Sequence, residues 1–285
     1  MGKEAVPHYT AAFAAIDGTQ IYYEVAGSGH PLVLLHGHDP LDHHFWELQF
    51  SYFAQHYRVL RFDPRGYGKS PASTQPYKRT VDLFALLQNL DMQSAYVLDV
   101  GARSSLAFIH EYPKAVDALV LASPMFRTAK SFADAFKGLP TILQEFQPLI
   151  QPMKQENYRE AGELFLKMLK INPSTLSTET YQWLAALMEE AIPSMKHPPK
   201  RGLTNLKALT HQLQWNTMIH VPTLIIEGEY APDIIRATCR DLEQTLPNYT
   251  KKTIPNGHML INIENPTDFN CCVHEFLQTI PNSAL

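Results

Sequence analysis

The side chains of this chain that could do chemistry gather in a few short segments, each following an apolar run. His36, Gly37 and His38 follow Leu34-Leu35. Asp99-Val100-Gly101-Ala102 follows Ala95 to Leu98, Asp233 follows Gly228-Glu229, and His258 stands in Pro255-Asn256-Gly257-His258-Met259. An imidazole can take or give a proton near neutral pH, a carboxylate can attack carbon, and the amides of a turn can hold an anion. His36, His38, Asp42 and His43 also offer nitrogen and oxygen to a metal, but zinc needs three or more convergent ligands and no later segment completes a set. No metal is expected. Gly27-Ser28-Gly29 has neither a G-x-G-x-x-G nor a P-loop continuation, so no nucleotide cofactor is expected.

Such groups need a scaffold, and the apolar runs supply one. Ala11 to Ala15 and Gln20 to Ala26 flank Asp17-Gly18, a tight hairpin turn. Pro31 to Leu35, Val59 to Phe62, Ala95 to Leu98, Leu119 to Ala122 and Thr223 to Ile226 are apolar without alternation, as suits strands buried on both faces of a parallel sheet. His44 to Ala54, Val81 to Leu90 and Ser104 to Tyr112 carry apolar residues at helical spacing between them. Residues 125–217 break this rhythm, with helices expected over Phe126 to Met153, Tyr158 to Leu169, Thr178 to Ile192 and Leu203 to Leu213 and no strand between. A helix over Ile234 to Leu246, a strand over Lys252 to Ile254 and a helix over Pro266 to Thr279 close the chain. The fold class is α/β: a core domain of residues 1–124 and 218–285 and a helical cap of 125–217.

With 285 residues, 45% hydrophobic and 18% charged, the chain can bury a large core, which excludes disorder. A net charge of -4 without a Lys/Arg cluster argues against nucleic acid or an anionic membrane as partner. Cys239, Cys271 and Cys272 do not form a disulfide framework. Nothing at Met1 to Thr10 resembles a signal peptide, and no run approaches a membrane span. A soluble cytoplasmic protein with a small-molecule partner is expected; the composition leaves its oligomeric state open.

Taken together, Leu34-Leu35-His36-Gly37, Asp63-Pro64-Arg65-Gly66-Tyr67-Gly68-Lys69-Ser70 and Pro255-Asn256-Gly257-His258-Met259 make the chain resemble the α/β-hydrolase superfamily, in particular its single-cap members, over nearly its whole length. The resemblance implies that His36-Gly37 begins an oxyanion loop whose donor is the N–H of His38. It implies that the Asp-x-Arg-Gly-x-Gly-x-Ser turn is structural, and that His258, followed by Glu264 and Pro266, is the catalytic base.

The family's nucleophile elbow, G-x-S-x-G, is missing. Two registers fit the segment. Counting forward from the strand Ala95 to Leu98 puts Gly101 at the nucleophile, beside Ala102, and glycine has no nucleophilic atom. Counting back from Pro113 puts Asp99 there, and Asp-x-Gly-Ala resembles the elbow of epoxide hydrolases and dehalogenases. The glycine register is the leading reading, with Asp99 then a polar residue at the sheet edge. The acid expected after Gly228-Glu229 is absent at its usual spacing; Asp233 either takes over or serves as N-cap of the next helix. Ser104 and Ser105 are expected inside a helix, His43 and His44 as exposed residues at a helix start. Ser123 cannot serve as an acid.

Three functions follow from these alternatives. The leading one is a binder of a small, largely apolar molecule under the cap, with a degenerate triad and impaired or altered chemistry. The others are an active hydrolase of epoxide-hydrolase or dehalogenase type using Asp99 and His258, and a non-enzymatic receptor or scaffold.

Overall fold

A computed structural model describes residues 8–36, 41–125, 146–169, 171, 176–196 and 216–281. Its frame is one eight-stranded sheet in the order β1-β2-β4-β3-β5-β6-β7-β8. The strands are β1 (Tyr9–Ile16), β2 (Thr19–Ala26), β3 (Pro31–His36), β4 (Arg58–Phe62), β5 (Ala95–Val100), β6 (Val116–Ala122), β7 (Thr223–Gly228) and β8 (Tyr249–Ile254). β1 pairs antiparallel with β2, and β2 with β4; every later pair is parallel. Asp17 and Gly18 turn the first hairpin with positive φ, as a two-residue loop requires. Leu32, Val33, Leu34, Leu60, Val97, Leu98, Val120, Leu121 and Ile225 are wholly buried, which explains their uninterrupted apolar runs.

Helices cover the sheet: α1 (Glu47–Phe53), α2 (Arg79–Asn89), α3 (Arg103–Glu111), α4 (Tyr158–Met168), α5 (Thr178–Ala191), α6 (Asp233–Thr245), α7 (Ile261–Glu264) and α8 (Pro266–Gln278). α1 packs on α8, and α2 on α3. The cap helices α4 and α5 pack on each other and fall between β6 and β7, where the strand rhythm breaks. Ser177 caps α5 by accepting the Thr180 N–H, and Asn157 caps α4 through the Glu160 N–H. Of the helix expected over Phe126 to Met153, residues 146–154 are helical and 126–145 lie outside the described residues. The helix expected over Leu203 to Leu213 also lies outside them.

Four local expectations are corrected. β5 runs on through Asp99 and Val100 rather than stopping at Leu98. The helix expected from His44 opens as a single 3-10 turn, His43–Trp46, capped by Asp42. His43 is 1% exposed rather than a surface residue, because its Nδ1 and its N–H both bond Asp63 Oδ1 at 2.8 Å. Asp233 is the first residue of α6 and not its N-cap, a position Pro232 holds.

β3 lies between β4 and β5. The chain therefore leaves β3 toward one side of the sheet and β5 toward the other, and a crevice opens beyond their carboxyl ends. His36 and Val100 are paired there across the two strands.

Candidate active site

The crevice is bounded first by the turn from β5 into α3. Gly101 has φ 104° and Ala102 φ 64°, and α3 starts at the next residue. Both backbone groups of Gly101 are engaged: its N–H donates to the Ala122 carbonyl at 2.9 Å, and its carbonyl accepts the Met125 N–H at 3.1 Å. This pins the turn against the end of β6. Ala102 offers no side-chain cap to α3, and Asp99 does the work from within β5. Its Oδ2 accepts the Ser105 N–H at 2.8 Å, satisfying one of the amides that open the helix. Ser104 and Ser105 accordingly stand in the first turn of α3 rather than deeper inside it, and the Ser105 hydroxyl donates to the Ala102 carbonyl.

Asp99 is wholly buried, and its Oδ1 has no hydrogen-bond partner among the described residues. Burial pushes its carboxyl up to about 7, against the opposing pull of the Ser105 and Ser104 amides. The Ser123 hydroxyl, just past β6, is likewise buried and has no partner among the described residues.

His258 arrives from the other side of the sheet, on the loop after β8. That loop and the one after β7 meet backbone on backbone: a Cβ on Gly228 would lie 2.3 Å from the Gly257 carbonyl oxygen. The Tyr230 N–H donates to the same oxygen at 2.8 Å, and the Asn256 N–H to Glu229 Oε2 at 2.9 Å. The ring of His258 is 28% exposed and borders a cavity of about 220 Å3 lined by Leu169, Tyr230, Ala231, Pro232, Asp233 and Arg236. Asp233 shares this cavity with His258, but among the described residues the carboxylate at ion-pair distance from the ring is that of Glu264. Its Oε2 lies 3.3 Å from His258 Nδ1.

Glu264 is the residue whose part the sequence reading left unassigned. Only 3% exposed, it accepts the N–H groups of His258, Met259 and Leu260 and so holds the loop as well as facing the ring. The signal was present in the spacing, since three successive amides before a short helix need an acceptor and Glu264 ends that helix.

The segment expected to form an oxyanion loop is described in part. The backbone of His36 ends β3, while Gly37 and His38 lie outside the described residues. Asp42, His43 and His44 bring potential ligand atoms within 4.8 Å of one another. These groups are already hydrogen-bonded, His44 Nδ1 lying 3.1 Å from Asp42 Oδ1 and His43 Nδ1 2.8 Å from Asp63 Oδ1.

Asp63 anchors the turn that follows β4. Its Oδ2 accepts the Lys69 N–H, and Ser70 donates its hydroxyl to the Asp63 carbonyl while accepting the Tyr22 N–H. This turn ties β2, β4 and the start of the 3-10 turn together.

These features define an α/β-hydrolase fold with a crevice at the carboxyl ends of the central strands. Residues 30–266 match the family model for the alpha/beta hydrolase fold, and the chain belongs to that family. It is 26% identical to the "Putative non-heme chloroperoxidase" of Synechocystis sp. over 96% of this chain and 100% of that one. It is 30% identical to a haloalkane dehalogenase of Agrobacterium fabrum over 53% of this chain and 50% of that one. Among solved structures, a bromoperoxidase from Bacillus anthracis superposes with a TM-score of 0.74 at 23% identity, covering 94% of this chain and 100% of that one. Among the described residues, no helix is long and apolar enough to cross a membrane.

Proposed function

We propose that this chain is an α/β-hydrolase-fold protein that binds a small, largely apolar molecule between a core of residues 1–124 and 218–285 and a cap of 125–217, with its hydrolase chemistry impaired or altered. The observation that carries this reading is the turn between β5 and α3, where Gly101 and Ala102 adopt positive φ and neither bears a nucleophilic atom. His258 remains beside a cavity, with Glu264 at its Nδ1. A base without a nucleophile can polarise or bind a ligand but cannot form an acyl-enzyme.

A second reading, an active hydrolase of epoxide-hydrolase or dehalogenase type, draws support from the 30% identity to a haloalkane dehalogenase. It requires the Asp99 carboxylate to reach a substrate carbon. Against it stand the complete burial of Asp99, its bond to the Ser105 amide, and a carboxyl pushed up to about 7, which leaves much of it in the non-nucleophilic acid form at neutral pH.

The two are separated by turnover assays with p-nitrophenyl esters, a terminal epoxide and a bromoalkane, on the wild type, His258→Ala and Asp99→Asn. The first reading expects no turnover that either substitution removes. Ester hydrolysis lost in His258→Ala would sink it, and epoxide or bromoalkane turnover lost in Asp99→Asn would establish the second.

A further inference from the structure

The cavity beside His258 holds a positive charge that a degenerate triad leaves unused. Its volume of about 220 Å3 falls below the roughly 300 Å3 at which pockets begin to take drug-sized ligands, so a fragment-sized molecule fits. Arg236, in the first turn of α6, donates Nε–H to the Ala231 carbonyl at 2.7 Å and Nη2–H to the Glu229 carbonyl at 3.3 Å. These two backbone bonds hold the plane of the guanidinium, and its other donors have no partner among the described residues.

The nearby carboxylate does not take them. Asp233 lines the same cavity, yet no carboxylate of the described residues lies within ion-pair distance of Arg236. Asp233 instead stands first in α6, where Pro232 supplies no side-chain cap and a negative charge answers the helix amides. The remaining walls are apolar or aromatic. The rings of Tyr230 and His258 have centroids 5.5 Å apart, and Leu169, at the end of cap helix α4, joins the lining.

A fixed guanidinium with open donors, set among two aromatic rings and a leucine, matches a planar anion attached to an apolar body. We propose that this cavity recognises a small organic carboxylate, the anion on Arg236 and the apolar part against His258, Tyr230 and Leu169. The proposal rests on the reading of the chain as a small-molecule binder and names the class of molecule.

The test is a calorimetric titration of the full chain with benzoate and with benzamide, its neutral counterpart, alongside NMR of the His258 ring. Benzoate is expected to bind about tenfold or more tightly than benzamide and to shift the His258 ring signals. Arg236→Gln is expected to abolish that preference, while Arg240→Gln, one turn further along α6, leaves it intact. Matching unfolding curves for the variants and the wild type establish that the exposed substitutions have not unfolded the chain. Equal binding of the two probes, no saturable binding of benzoate, or a preference that survives Arg236→Gln overturns the proposal. Its failure is distinct from failure of the functional reading, because ester turnover dependent on His258 would end that reading and leave carboxylate recognition standing.

Discussion

Glu264 sets a carboxylate oxygen 3.3 Å from Nδ1 of His258 while its two oxygens together accept the amides of residues 258, 259 and 260. One buried side chain thus holds the loop that carries the histidine and faces Nδ1 of its ring. Asp233, the acid suggested by chain position, is exposed at the start of α6.

The two acids should therefore respond differently to neutralisation. Glu264→Gln replaces an acceptor-only group with one whose amide donors oppose backbone N–H groups, and bonds to a charged acceptor are worth about 1.5–3 kcal/mol. A loss of about 2 kcal/mol or more is expected in urea unfolding. Asp233→Asn removes only a first-turn charge, worth about 0.3–1 kcal/mol. Equal effects of the two substitutions would contradict the assignment.

Asp99 makes stability depend on pH. Its carboxyl is raised from the ordinary carboxylate value to about 7 by burial, so between about pH 4 and pH 7 the folded chain holds a proton that the unfolded chain has released. Stability then falls as pH rises through that window, and is lowest above it, when the buried group must ionise. The full effect is on the order of 4 kcal/mol. Asp99→Asn cannot ionise, so its stability relative to the wild type should improve from pH 5 to pH 8 in paired urea unfolding curves. A difference that stays constant across that range would show that Asp99 does not titrate there.

The strands of the core were legible because burial on both faces leaves an apolar run with no alternation, as at Leu32 to Leu35 and Leu119 to Ala122. Asp99 escaped that rule. A charged residue reads as the end of a buried strand, and only the amide of Ser105, brought over it by the turn at Gly101 and Ala102, makes its place inside β5 tolerable. His43 was misjudged for a similar reason: its partner Asp63 is twenty residues away, and no local pattern announces a contact of that separation. The elbow was half legible. Spacing reduced it to two registers, and how far the strand continues rests on the pairing of Asp99 with Leu35 and Leu121 across the sheet, which no local pattern announces.

The turn after β4 gives a sharper case of sequence dictating geometry. A Cβ added to Gly68 would lie 2.3 Å from Asp63 Oδ2, and the residue has φ 47°. Gly68→Ala must therefore displace the carboxylate that holds His43 and the Lys69 amide, and breaking a buried charged network costs about 3–5 kcal/mol. Gly18→Ala is the control: its φ is 74° but nothing lies within 4 Å of the added atom, so it meets backbone strain alone, about 1 kcal/mol. Thermal or urea unfolding of the two variants should separate by about 2 kcal/mol or more, with Gly68→Ala the weaker.

Gly101→Ser asks whether the elbow lacks only its hydroxyl. The Gly101 backbone is pinned by its bonds to Ala122 and Met125, so the turn should survive, at a strain cost of roughly 1–3 kcal/mol for a side chain at φ 104°. If residue 101 occupies the nucleophile position, the new hydroxyl has His258 as its base, and base assistance contributes about a hundredfold or more. The variant should then hydrolyse p-nitrophenyl acetate at least about a hundredfold faster than the wild type and carry an acyl adduct on residue 101 in mass spectrometry. Adding His258→Ala should abolish both. A folded Gly101→Ser protein without adduct or turnover would instead remove residue 101 from the nucleophile position, because the base, the turn and the hydroxyl would all be present and still not meet.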